Sequence, residues 1–156
     1  MHLTEKDRHF LILCEQEKKK SHDPERQVGA VIVNIDGTII ATGSNRPPKT
    51  LNLSVEDSHL KIASNPEWKY YLLEHAERNA IYEAAESSHS LVGATMYGTL
   101  FPCADCARAI VASGIKRLVV PAINYRSEEN NKWQTHYQYS QEIFKLANTE
   151  VNFIDP

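Results

Sequence analysis

The sequence predicts an α/β protein of three layers, α/β/α, built on a five-stranded mixed sheet whose first pair is antiparallel and whose last three strands are parallel. Three observations carry this. An Asp-Gly step joins two β-branched runs near the N-terminus, which is a strong signal for an antiparallel hairpin. Helix-period segments then separate the later strands, and crossovers of that kind join parallel strands. The chain has 156 residues, 42% hydrophobic and 24% charged, the size and composition of one ordinary globular domain. A single domain over 1–156 is expected, with no internal repeat and no low-complexity segment.

Taken in order, Thr4 is an N-cap candidate with Asp7 three residues on, and Phe10, Leu13 and Cys14 follow at helical spacing, so 4–20 reads as an amphipathic helix with those three facing inward. Cys14 reads as a small buried hydrophobe. Lys18-Lys19-Lys20 follows Glu15 and Glu17 and reads as a solvated face. Val28–Val33 and Thr38–Gly43 are the hairpin strands around Asp36-Gly37. Pro47-Pro48 forces an extended segment, residues 55–63 suit a short helix, and 44–70 reads as an ordered surface insertion of the kind that is usually functional. From His75 an alanine-rich helical face returns at Ala76, Ala80, Ile81, Ala84 and Ala85. Residues 94–100 suit a strand. Pro102 can open the next helix, which Gly114 would stop. Arg117–Val120 reads as a strand, 136–147 as a helix and Val151–Ile154 as the last strand.

Charge and hydropathy narrow the function classes. The net charge is -3, and no basic stripe is present of the sort that releases counterions from a polynucleotide. A long nucleic acid is therefore not an expected partner, whereas a small anionic ligand is compatible. No apolar run nears the roughly 20 residues that span a bilayer, so no membrane association is expected. Met1–Asp7 is polar and mixed in charge, unlike a secretory signal. Three cysteines without such a signal suit a reducing cytoplasm, where cysteine spacing speaks more of metal or catalysis than of disulfides.

Two short segments carry chemistry, His75-Ala76-Glu77 and Pro102-Cys103-Ala104-Asp105-Cys106. Cys103 and Cys106 fall three apart at a helix start, so both sulfurs share a face and the free N–H groups of the first turn favour thiolates. His75 can add a neutral imidazole. One His and two Cys are three ligands of the kind zinc takes, leaving a fourth position for water. Glu77, two residues from His75, cannot share its helical face, but at a helix start it can lie beside that water as a proton shuttle. Alone, the Cys pair would equally suit a redox motif, half of a structural zinc site or coincidence. A four-cysteine site is excluded because only Cys14 remains. Joined to the upstream His-x-Glu, the pair matches the zinc-deaminase signature.

The chain resembles the cytidine and deoxycytidylate deaminase superfamily, and most of all its deoxycytidylate branch, from about Asp23 to Phe153. The likeness is strongest in Gln27–Val31, His75–Ile81 and Thr99–Ala107. It implies a cytidine-deaminase-like fold, zinc ligands at His75, Cys103 and Cys106, and Glu77 as the residue that takes a proton from water, passes it to ring nitrogen N3 and returns one to the departing amine. It also implies that Asn45 hydrogen-bonds the sugar and that the Ala76 N–H helps to hold the pyrimidine edge. The implied reaction is hydrolytic deamination of a cytosine nucleotide, foremost dCMP to dUMP plus ammonia. Two alternatives stay open: a deaminase of another free base, nucleoside or modified nucleotide, and a zinc-stabilised nucleotide-binding protein without turnover.

Departures from the family pattern bear on the substrate. Ser44 and Arg46 flank Asn45 where deoxycytidylate enzymes tend to carry an aromatic residue and a glycine, and Asn45-Arg46-Pro47 resembles the tRNA adenosine deaminases. The 46–70 loop offers only His59 toward a second metal, so one zinc per chain is expected. His2, His9, His22, His89 and His136 have no ligand spacing and read as surface or turn residues; Trp68, Trp133, Tyr70 and Tyr71 read first as packing. Arg126, just past the 117–120 strand, is the first candidate for a phosphate contact, with Arg46 and Lys49 next. By resemblance the assembly is a homo-oligomer, a dimer or a hexamer.

Overall fold

The computed structural model describes residues 2–123 and 133–154. Helix α1, Glu5–Glu17, opens on a capping box in which Thr4 Oγ1 accepts from the Asp7 N–H and the Asp7 carboxylate accepts from the Thr4 N–H. Lys18–Lys20 continues it as a 3-10 turn, with Glu15–Lys18 and Glu17–Lys20 ion pairs along its exposed side. Strands β1, Gly29–Val33, and β2, Ile39–Ser44, are antiparallel. The turn between them uses Gly37 at φ +88°, with the Gly37 N–H donating to the Asn34 carbonyl; a positive φ is what glycine adopts without strain.

The 44–70 insertion is ordered and helical in two pieces, α2 at Val55–Ser64 and α3 at Trp68–Leu72. Helix α4, Ala76–Glu86, buries Ala76, Ala80 and Ala84. Ala85 was expected inward but is exposed, because one residue of helical rotation past Ala84 carries it off the buried stripe. Strand β3, Thr95–Gly98, helix α5, Ala104–Ala112, strand β4, Arg117–Pro121, helix α6, Gln134–Leu146, and strand β5, Glu150–Ile154, complete the order. Helix α5 begins at Ala104 and not at Pro102, with Cys103 as its N-cap in extended backbone.

The five strands lie in the order β2-β1-β3-β4-β5. β1 is antiparallel to both neighbours, and β3, β4 and β5 are parallel, as the hairpin and the helical crossovers require. Alternate side chains divide the sheet between two layers. Val31, Val33, Tyr97 and Val119 meet Phe10 and Cys14 of α1, whereas Ala30, Ile32, Met96, Leu118 and Val120 join the core with α4, α5 and α6. Three layers result, with the helix starts of α4 and α5 brought together on one side. No helix of the described residues is long and apolar enough to cross a membrane.

Candidate active site

Both chemical segments stand at helix N-termini. His75 is the N-cap of α4, in extended backbone, and Glu77 follows in the first turn; Cys103 is the N-cap of α5 and Cys106 lies in its first turn. Leaving the helix at His75 is what frees its ring from the i, i+2 geometry that would otherwise hold it away from Glu77. The start of α4 is fixed to the end of β2: Asn79 Nδ2 donates to the carbonyls of Ser44 and Arg46, and Arg46 and Glu74 exchange backbone hydrogen bonds. The Glu74 carboxylate accepts from the His75 N–H and from Arg78 Nε. On the α5 side, Ala104 N–H donates to His136 Nδ1 and Ser140 Oγ donates to the Pro102 carbonyl, so α6 grips the turn that carries Cys103.

These supports bring His75, Cys103 and Cys106 together, one donor atom from each lying within 4.8 Å of the others. Each sulfur is 3.5 Å from His75 Nδ1. The Cys106 thiol shares its proton with Cys103 and, with His75, holds Cys103 well below the usual thiol range; the same exchange and burial push Cys106 up. His75 is raised by its hydrogen bond to Cys103. Two cysteine sulfurs and an imidazole so placed suit a zinc-type cation, which would displace the protons they share. A second grouping, Cys103, Asp105 and His136, also converges, but Asp105 is engaged by Arg108 and His136 Nδ1 by Ala104. Beside the first group sits Glu77, 6% exposed, its carboxylate 3.5 Å from the Cys106 thiol and its pKa raised by burial.

The group opens on a cavity of about 600 Å³. Asn45 and Ala76, the two residues that the family resemblance assigns to substrate contact, line it. The Asn45 amide is partly committed, since Oδ1 accepts from the Val28 N–H at 2.9 Å and Nδ2 donates to the Arg26 carbonyl at 2.7 Å. Ala76, in the first turn of α4, carries one of the N–H groups that no helical carbonyl can satisfy. Arg126 lies outside the described residues. Arg46 and Lys49 do not line the cavity, and Lys49 pairs with Glu83.

Residues that periodicity did not single out also line it. Trp133, read as packing, stands edge-on to His75 with ring centroids 6.4 Å apart. Arg26 lies over Trp133, 5.0 Å from its centroid, and donates from Nη2 to the Tyr137 hydroxyl at 3.0 Å. Lys69 pairs with the buried Asp23 and with Glu25. Two histidines read as surface or turn residues make specific contacts. His22 is buried, its Nδ1 2.6 Å from Ser58 Oγ, which ties α2 to the segment before β1. His136 stands behind Cys103.

A family model described as the cytidine and deoxycytidylate deaminase zinc-binding region matches residues 4–122. Among curated proteins, the deoxycytidylate deaminase of Mus musculus is 30% identical over 148 residues, 95% of this chain and 79% of that protein. The deoxycytidylate deaminase of Homo sapiens is 32% identical over 121 residues, 78% and 67% respectively. Among solved structures, the dCMP deaminase of cyanophage S-TIM5 in complex with dCMP and dUMP superposes with a TM-score of 0.71, covering 98% of this chain and 100% of that one. At 24% identity that likeness speaks for the fold.

Proposed function

The chain belongs to the cytidine and deoxycytidylate deaminase family, and on that footing we propose that it is a zinc-dependent hydrolase converting dCMP and water to dUMP and ammonia. The observation that carries this reading is the buried carboxylate of Glu77 beside the convergent donors of His75, Cys103 and Cys106. A purely structural metal site has no use for such a carboxylate. His75, Cys103 and Cys106 hold the zinc, one ion per chain. When bound, zinc supplies a Lewis acid that brings the pKa of a water toward ~7.

The residues of the chain do the rest. Glu77, its pKa raised by burial, takes a proton from the attacking water and delivers it to N3 of cytosine. It then takes the remaining proton from the C4 hydroxyl, which becomes the carbonyl, and passes it to the amine as the C4–N bond breaks, acting as base and acid in turn; a raised pKa suits both tasks near neutrality. The Ala76 N–H meets the pyrimidine edge and Asn45 the sugar. Cys103 at the N-cap and Cys106 in the first turn of α5 stand by the helix's free N–H groups, which favour the thiolates a bound cation requires. A homo-oligomer, dimer or hexamer, is the expected assembly, and cytoplasm the expected location.

The test is metal analysis joined to ammonia release from dCMP. Wild type is expected to hold one zinc per chain and to release ammonia. Cys103→Ala and Cys106→Ala are expected to lose the metal and part of the folding stability, because the site ties two helix starts together. Full zinc occupancy in both variants would remove them as ligands. Ammonia from a free base or nucleoside but not from dCMP would replace the substrate.

A further inference from the structure

We propose that Arg26 is the anion anchor of this cavity and selects a nucleoside monophosphate over the nucleoside. The proposal rests on the deamination reading above and adds the residue that sets the substrate class. Among the described residues, three basic side chains other than His75 line the cavity: Arg26, Lys69 and Arg78. Two are neutralised. Lys69 Nζ lies 3.1 Å from Asp23 Oδ2 and 3.7 Å from Glu25 Oε2, and Arg78 pairs with Glu74 at 2.6 Å. Arg26 has no carboxylate partner among the described residues. Its one side-chain hydrogen bond among them is to a neutral phenol, Tyr137, at 3.0 Å.

The placement suits a ligand's far end. Trp133 neighbours both Arg26 and His75, its ring centroid 5.0 Å from the guanidinium carbon and 6.4 Å from the imidazole centroid. Arg26 therefore lines the same cavity as His75, Glu77 and Cys103 without a hydrogen bond or ion pair to any of them, as a contact to a substrate's far end requires. The guanidinium is also pre-set. Trp133 supports its plane, Tyr137 holds one nitrogen, and the backbone is pinned by Asn45 Nδ2 on the Arg26 carbonyl and by Asp23 Oδ1 on the Arg26 N–H. A guanidinium so held offers its remaining N–H groups as a fork, the geometry that grips phosphate through two parallel bonds. An uncharged nucleoside would leave that cation unpaired. Among the described residues, one cation of the cavity without a carboxylate matches one phosphate group.

Arg26→Ala and Arg26→Lys are to be compared with wild type on dCMP and on deoxycytidine by kcat/KM, and on dUMP and deoxyuridine by equilibrium binding. The expected result is a fall of about 10–100-fold in the dCMP-to-deoxycytidine ratio in Arg26→Ala, the size of a lost charge-assisted hydrogen bond. Arg26→Lys keeps the charge without the fork and is expected to recover part of it. The binding preference for dUMP over deoxyuridine should fall in parallel. Equal losses on both substrates, or a wild type that binds deoxyuridine as tightly as dUMP, would overturn the anchor. Should wild type release no ammonia from either substrate, the deamination reading fails while dUMP binding still decides Arg26.

Discussion

Two buried carboxylates lie in different layers of the sheet, and their surroundings differ in kind. Asp7, under α1, is 2% exposed and fully answered: Arg117 donates to both of its oxygens at 2.8 and 3.1 Å, the Tyr97 hydroxyl at 2.7 Å and the Thr4 N–H at 2.9 Å. The Arg117 guanidinium holds its carboxyl well below the usual range. Glu77, under α4, is 6% exposed, and its one side-chain hydrogen bond among the described residues comes from the Cys106 thiol. Burial pushes it the other way. Folding stability explains the first arrangement, since a buried charge must be paired. It does not explain the second, which costs stability and, on the function proposed above, serves proton transfer.

The sharpest way to break this contrast is Glu77→Gln. The amide keeps the volume and the burial but cannot carry the proton, so turnover is expected to fall roughly 10²–10⁴-fold, with zinc retained and the thermal midpoint at or above wild type. Near-normal ammonia release would remove Glu77 from the chemistry, and a sharply lowered midpoint would make it structural after all.

Asp7→Asn tests the opposite face and should do the reverse. Removing one partner of a buried pair typically costs about 3–5 kcal/mol; Arg117 is a quarter exposed, so the lower end is expected in urea denaturation. Ammonia release by the folded variant should stay near wild type. The pH dependence has a definite sign. Because the folded pKa of Asp7 is depressed, its contribution is present above the unfolded value of ~3.9 and is lost as pH falls below that toward the folded one. The stability gap between wild type and Asp7→Asn should be constant at neutral pH and close in acid. A gap that widened in acid would contradict the pairing.

The same contrast explains what the sequence made legible. The Thr4–Asp7 capping box could be read because its bonds span three residues. The second role of Asp7 could not, because Arg117 is 110 residues along the chain. The convergence of His75, Cys103, Cys106 and Glu77 was readable despite their distance, since metal and acid–base chemistry would restrict residue types at short spacings within each segment. Arg26 and Tyr137, 111 residues apart, carry no such local signature. His22 and Ser58 likewise meet only through the fold, so a buried histidine there passes for a surface one. The hairpin was legible from Asp36-Gly37 alone, whereas α3, a five-residue helix, is too short to leave a period.

The smallest effects come from two glycines that let a helix approach the sheet, one in each layer. A Cβ on Gly29 would collide with the Cys14 carbonyl of α1 and lie 2.6 Å from the Lys18 nitrogen. A Cβ on Gly43 would collide with the Ala76 carbonyl of α4 and lie 2.6 Å from the Ala80 nitrogen. Both obstacles are backbone, so the helix must move, at about 1–3 kcal/mol for overpacking. What moves differs. Gly29→Ala displaces the last turn of α1, which carries no site residue. Gly43→Ala displaces the first turn of α4 at Ala76, the residue between His75 and Glu77, and so spreads His75 from Cys103 and Cys106 on α5. The two variants should therefore lose similar stability in urea, while only Gly43→Ala yields its zinc to a competing chelator at concentrations that leave wild type loaded. Equal zinc retention in the two would mean that the site tolerates movement of α4, and the rigid link between sheet, helix start and metal ligands would have to be given up.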